Sequence, residues 1–241
     1  MYRILIISLF FISSLLAQNK VYVGRIEGTI DLGLAPYIKR LIQEAEEDKA
    51  RAVIFYINTF GGRVDAATQI KDAILNSKVN TTAFIDKRAI SAGALIALSC
   101  QKIVMAPGGL IGASTVVDQG GKKVSEKYQS FMRSEMRSTA EKNGRRKDIA
   151  EGMVDESIVI EGLVDSTKLI TLTTNEALEY GIDDTMLSSL DDVVKYLNIS
   201  DAEIIEIESN WAEDFVGFVN NPSISSLLIM IGLVGLCTEV K

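Results

Sequence analysis

Ser91 stands in the stretch Ala89-Ile90-Ser91-Ala92-Gly93-Ala94, between small residues and directly ahead of an apolar helical run. A hydroxyl at that position meets the positive end of a helix dipole, which favours developing negative charge. Nucleophilic catalysis is therefore open to Ser91, provided something takes its proton. The composition narrows what that can be. The 241 residues contain no histidine, so a Ser-His-Asp triad, a Cys-His pair and any histidine-containing zinc site are excluded. The two cysteines, Cys100 and Cys237, are too few for a metal cage or a disulfide scaffold, and both sit in apolar surroundings that suit small buried hydrophobes. No metal site and no cofactor is expected. The base for Ser91 must be a lysine or a carboxylate.

A lysine serves as a base only when uncharged, which means a pKa of about 7–8 in place of about 10.4, a preference of roughly 4 kcal/mol against the cation. Burial among apolar side chains supplies it. Lys127 is the candidate, because it opens a long helix where the dipole disfavours a cation, with Tyr128, Phe131 and Met132 within about a turn. Lys122 and Lys123 lie in a polar loop and should be solvated, and a pair with Glu126 would instead hold Lys127 charged. Gly61-Gly62 ends a buried strand just before another helix, where a backbone N–H can approach a ligand freely. The Gly62 N–H together with the Ala92 N–H would make a two-donor hole for a tetrahedral oxyanion. Each feature alone has a plainer reading: Ser91 as a helix N-cap, the glycines as a turn, Lys127 as a surface lysine.

The elements that must position these residues alternate along the chain. Val21–Val23 reads as a strand, and Leu34, Ile38, Leu41, Ile42 and Ala45 recur at helical spacing. Ala52–Ile57 is a continuous apolar run of strand length, broken by Gly61-Gly62 and followed by a helix marked by Ala67, Ile70 and Ile74. Strands at Thr82–Ile85 and Lys102–Met105 flank a short buried helix over Ala92–Leu98, and another strand surrounds Ile111. A long helix spans about Ser125 to Lys142 and stops at Asn143-Gly144. Beyond it come a helix near Lys147, a strand at Ile170–Leu172, a helix capped by Thr174, and a short helix and strand within 190–208. This alternation predicts an α/β domain with largely parallel pairing.

The net charge of −7 leaves no basic stripe for phosphates, so no nucleic-acid partner is expected. The clusters at 44–48 and Arg145-Arg146-Lys147 read as solvated helix ends. Residues 1–17 carry Arg3, an apolar run and Ala17, the pattern of a secretory signal or an uncleaved anchor, which places the domain outside the cytoplasm. The stretch 223–237 is apolar and uncharged but shorter than the roughly 20 residues that span a bilayer. Either it packs as a tail or it begins a membrane segment. Trp211 and Phe215 upstream, as interfacial residues, favour the membrane reading. The expected division is 1–17 as signal or anchor, 18–208 as the domain, and 209–241 as the start of a membrane-associated segment.

The blocks Asn58-Thr59-Phe60-Gly61-Gly62-Arg63-Val64-Asp65-Ala66, Ala89 to Ala94, and Met105-Ala106-Pro107-Gly108 with Ile111-Gly112-Ala113 together resemble the NfeD family of membrane-bound serine proteases. The likeness runs from about Lys20 to the chain end. It implies a ClpP/crotonase-like fold of repeated β-β-α-type units with a C-terminal apolar tail. It also implies a dyad of Ser91 and Lys127, with Gly61, Gly62 and Ala92 at the oxyanion hole. The implied substrate is a hydrophobic peptide stretch, including tails of stomatin-like membrane proteins, and the implied assembly is a homo-oligomer, a dimer or larger. Phe60 stands where the family usually has proline. Family members continue through several membrane helices into a small β-barrel domain, so this chain is expected to be a truncated piece. Two other readings stay open: a non-catalytic membrane scaffold that binds stomatin-like partners, and an acyl-CoA enzyme on the same fold, which an exported location disfavours.

Overall fold

The computed structural model describes residues 20–118 and 120–239, and the signal expected over 1–17 lies outside the described residues. In chain order the elements are β1 (Lys20–Ile30), α1 (Leu34–Glu47), β2 (Ala52–Gly62), α2 (Val64–Leu75), β3 (Thr81–Ile90), α3 (Ala92–Ser99), β4 (Lys102–Met105), β5 (Leu110–Gly112), α4 (Glu126–Lys142), α5 (Lys147–Gly152), β6 (Thr171–Thr173), α6 (Thr174–Glu179), β7 (Thr185–Met186), α7 (Leu190–Tyr196), β8 (Glu203–Ile207), α8 (Trp211–Asn220) and α9 (Pro222–Glu239). The strands form one sheet in the order β6-β5-β3-β2-β1-β8, with β4 pairing β3 and β7. Every pairing is parallel except β5 with β6.

The apolar runs of the central strands are buried on both faces, as parallel strands covered by helices must be. Alternate residues sort the core. Val53, Phe55, Ala83 and Ile85 pack with α1, α2 and α3 on one face. Val21, Val23, Ile54, Phe84 and Val104 pack with Val193 and Val194 of α7 on the other. The α/β reading and the parallel pairing therefore hold, with several local corrections. Gly61-Gly62 does not break β2: the strand runs through both glycines, in register with Thr29 and Ile30 of β1. A Cβ on Gly62 would come within 2.1 Å of the Ile30 carbonyl oxygen, so only glycine continues this ladder. The cap of α6 is Thr173, not Thr174, in a reciprocal capping box with Glu176. Arg145 is not a solvated end but is buried, its guanidinium donating to the carbonyls of Ile182, Cys100 and Gln101 and pairing with Asp184 at 3.1 Å. Cys100 is buried as expected, and Cys237 is exposed on α9.

The helix α8 is clasped to the domain. Arg40 of α1 grips Glu213 with two hydrogen bonds of 2.8 and 2.9 Å and donates to the Glu208 carbonyl at 2.8 Å. A Cβ on Gly33 would lie 2.4 Å from the Glu213 carbonyl oxygen, so the helix backbone rests directly on the glycine between β1 and α1. From there α9 presents Leu227, Leu228, Ile229, Met230, Ile231, Leu233, Val234 and Leu236 to solvent. Among the described residues no single helix is long and apolar enough to cross a membrane, but Trp211–Asn220 with Ser223–Thr238 pass as a pair bent by 75°.

One buried carboxylate gives the fold a pH dependence. Asp183 is 6% exposed, and its Oδ2 has no hydrogen-bond partner among the described residues. Burial pushes its carboxyl up to about 7, and Asp184 beside it adds to the rise. The folded chain therefore holds a proton there that the unfolded chain, with a carboxyl near 3.8, has released. Stability from this group falls as pH climbs from about 4 through 7. Asp183→Asn is expected to raise the unfolding free energy by roughly 2–4 kcal/mol at pH 8 and by little at pH 4. Urea unfolding at the two pH values measures this, and an equal change at both would contradict it.

Candidate active site

The strands β1, β2 and β3 end together, and the candidate residues gather at that end. Ser91 occupies the single-residue turn between β3 and α3 with φ 55° and ψ −121°. This is a left-handed backbone that a serine adopts at a cost of order 1–3 kcal/mol. The N-cap reading is not realised: the Ser91 hydroxyl caps nothing and has no hydrogen-bond partner among the described residues. It is half-buried and open to approach. Both backbone polar groups are pinned. The Ser91 N–H donates to the Gly112 carbonyl at 2.9 Å, and its carbonyl accepts from the Ala94 N–H at 2.9 Å and the Ser114 hydroxyl at 3.2 Å.

Gly61 lies against this serine. A Cβ there would sit 2.7 Å from Ser91 Cβ and 3.2 Å from its Oγ, and the glycine's φ of 106° is closed to other residues. Its N–H, however, donates to Thr59 Oγ1 at 2.9 Å, so Gly61 supplies space rather than a free donor. Gly62 differs. Its neighbour Arg63 donates its N–H to Ile30 at 2.8 Å, and strand alternation turns the Gly62 N–H to the opposite edge, away from β1. The Ala92 N–H, in the first turn of α3, has no acceptor among the described residues. Gly93 lets α3 lie this close, since a Cβ on it would meet Thr59 Cγ2 at 2.6 Å. A hydroxyl flanked by such N–H groups at a helix start can attack a carbonyl and have the resulting oxyanion held.

Lys127 opens α4 as expected, but its side chain is exposed and makes no ion pair or hydrogen bond among the described residues. It lines an apolar groove of about 740 Å³ with Arg63, Val64, Val116, Val124, Tyr128 and Phe131. Met132, expected beside it, turns into the core instead. Glu126 pairs with Arg133 rather than with Lys127. The buried amine in this region belongs to Lys71, which is salt-bridged to Glu135 at 2.6 Å and Asp72 at 2.9 Å. Burial acts to lower its pKa, but the hydrogen bonds and charges of the two carboxylates outweigh it and hold Lys71 protonated, unfit as a base. No hydrogen bond joins Lys127 to Ser91 in the single chain.

Sequence reasoning missed three contributors. Thr59 fixes the Gly61 N–H and also donates to the Gly28 carbonyl at 2.5 Å. Arg88 stacks its guanidinium 4.3 Å over the Phe60 ring, which is 72% exposed. Gln129 is fully buried on α4, and the visible signal was a polar residue in the apolar stripe Gln129, Met132, Met136, Ala140. Among the described residues no group of three or more His, Cys, Asp or Glu could hold a metal.

The fold is that of ClpP-like proteins. ClpP1 from Listeria monocytogenes superposes with a TM-score of 0.55 at 22% identity, covering 76% of this chain and 99% of that chain, a likeness of fold alone. Within that class the profile of the NfeD1b N-terminal domain matches residues 20–207, and the chain belongs to that family. It is 36% identical over 224 residues to membrane protein NfeD1b of Bacillus subtilis, covering 92% of this chain and 51% of the relative. It is 29% identical over 253 residues to membrane-bound protease PH1510 of Pyrococcus horikoshii, covering 95% and 55%. The chain thus spans about half the length of these curated relatives. Among solved structures, the membrane-bound stomatin-specific protease 1510-N superposes as a lysine-to-alanine mutant in complex with a substrate peptide, with a TM-score of 0.72 and 27% identity over 85% of this chain and 99% of that one. A serine-to-alanine mutant of the same protease gives 0.69 and 28%, over 80% and 99%.

Proposed function

We propose that this chain carries the catalytic domain of a membrane-associated serine endopeptidase acting through Ser91 and Lys127. The observation that carries the reading is Ser91 itself: a strained, pinned backbone presenting an unbonded hydroxyl against Gly61, at a helix start whose Ala92 N–H is unpaired. Uncharged Lys127 takes the hydroxyl proton, and the alkoxide attacks a peptide carbonyl. The N–H groups of Gly62 and Ala92 hold the oxyanion. The Lys127 ammonium returns its proton to the leaving amine, and water then releases the acyl group. The apolar groove that Lys127 lines supports an apolar peptide segment as substrate, and the relative named as specific for stomatin supports a stomatin-like membrane protein as its source. Covering that groove, by bound peptide or by a second copy in a homo-oligomer, removes the water that keeps an exposed lysine charged. The apolar surface of α9 and the membrane relatives support a membrane-associated segment from about residue 209, and the signal-like pattern of residues 1–17 supports a domain on the extracytoplasmic side.

A fluorophosphonate probe tests this. The chain is expected to be labelled at Ser91, identified by mass spectrometry, and to cleave a synthetic peptide taken from the apolar tail of a stomatin-like protein. The exposure of Lys127 favours one other reading, a scaffold whose dyad never aligns. That reading predicts no label and undiminished binding of the same peptide.

A further inference from the structure

The Ser91 turn and the helix that bears Lys127 are tied together by one short run of chain, Gly112 to Val116. At its first end, Gly112 accepts the Ser91 N–H at 2.9 Å and the Ser114 hydroxyl reaches the Ser91 carbonyl at 3.2 Å. At its other end, the side chain of Gln129 grips Val116 as a neighbouring strand would. Gln129 Oε1 accepts the Val116 N–H at 3.2 Å, and its Nε2 donates to the Val116 carbonyl at 2.7 Å. Between them the run is fastened to the domain: Ala113 donates to the Ile170 carbonyl at 3.0 Å, Ser114 to the Met153 carbonyl at 2.6 Å, and Thr115 Oγ1 to the Val154 carbonyl at 2.9 Å. Gly112, at φ 137°, lets the run pass, because a Cβ there would sit 2.4 Å from the Ile170 carbonyl oxygen.

Two side chains therefore do what the backbone alone does not. Ser114 is fully buried and is the side chain that fixes the Ser91 carbonyl, on the residue with the strained turn. Gln129 is 1% exposed, two positions beyond Lys127 on the same helix, and satisfies its amide on Val116 and, at 3.4 Å, on the Val124 carbonyl. Val116 and Val124 are also walls of the groove that holds Lys127. A buried amide leaves such partners only at a penalty, so it fixes the first turn of α4 against the run.

We propose that Ser114 and Gln129 are positioning residues: through Gly112–Val116 they set the separation and direction of the Lys127 amine relative to the Ser91 hydroxyl. Neither touches substrate. This rests on the serine–lysine reading above, and the experiment separates the two. Ser114→Ala and Gln129→Leu are prepared in the full chain with Ser114→Cys, which keeps a weak donor, and Gln129→Asn, which keeps both the acceptor and the donor of the amide on a shorter stem. The expected result is a kcat for peptide cleavage lowered about 10-fold or more in Ser114→Ala and Gln129→Leu, with KM within about twofold of the parent, and partial recovery in Ser114→Cys and Gln129→Asn. Peptide binding and circular dichroism should match the parent. Folded variants with the parent's kcat overturn the proposal, as does a loss of kcat that follows the fall in Tm with no recovery in the conservative pair. If Lys127→Met stays active, the dyad reading itself fails, whatever these variants show.

Discussion

Replacing Ser91 by alanine is expected to lower kcat/KM for peptide cleavage by roughly 10³-fold or more, with the fold unchanged. The reason for the second half is structural. The hydroxyl makes no hydrogen bond among the described residues, so its removal leaves no orphaned partner, and the hydrogen bonds that pin the turn come from the backbone of residue 91 and survive. Alanine meets the same left-handed φ of 55° as serine and adds no new strain. Cleavage of an apolar peptide and thermal unfolding, measured on the same preparation, read both halves. Full activity in Ser91→Ala would end the assignment. A large fall in Tm would show instead that the side chain helps to hold the turn.

The second large effect falls on Lys127. Lys127→Met keeps the length and apolar stem of the side chain and removes the amine. Acylation of Ser91 is expected to slow by about 10²–10⁴-fold, the usual weight of a general base. Lys127→Arg should be no better, because a guanidinium stays protonated and cannot accept the serine proton. Stability should change by less than about 0.5 kcal/mol in either variant, since the side chain is exposed and unpaired. Stopped-flow labelling by a fluorophosphonate gives the acylation rate directly. Equal rates in parent and Lys127→Met would transfer the role of base elsewhere.

Much of this arrangement was legible in the residue order. The apolar runs at Ala52–Ile57 and Thr82–Ile85 announce strands covered on both faces, and the structure buries them so. Ser91 before an apolar helix and Gly61-Gly62 at a strand end were readable as a site only in combination, since each alone suits an ordinary N-cap or turn. The misreadings have local physical causes. Glycine pairs usually end strands, but here the ladder to Ile30 excludes any side chain at Gly62 and the strand continues. Periodicity placed Met132 beside Lys127, whereas the helix turns Met132 inward and leaves Lys127, Tyr128 and Phe131 on the outer face. The family resemblance puts Gly61 at the oxyanion hole, and sequence cannot show that Thr59, two residues earlier, already occupies its N–H. The burial of an amine is likewise a property of what covers it, and residues 126–132 specify only one wall of the groove.

The clasp of α8 on Gly33 bears on where such chemistry could take place. Gly33 follows Ile30 by three residues, and Ile30 pairs with Gly62, the neighbour of the Gly61 that packs on Ser91. The route by which α8 and α9 leave the domain therefore starts from the rim that carries Ser91, and the Arg40–Glu213 grip gives that departure little slack. Reach becomes the limiting quantity. On the membrane reading proposed above, a rim leashed this closely to an apolar helix would sweep a thin layer rather than a volume, and would meet chains only near the surface where that helix is moored.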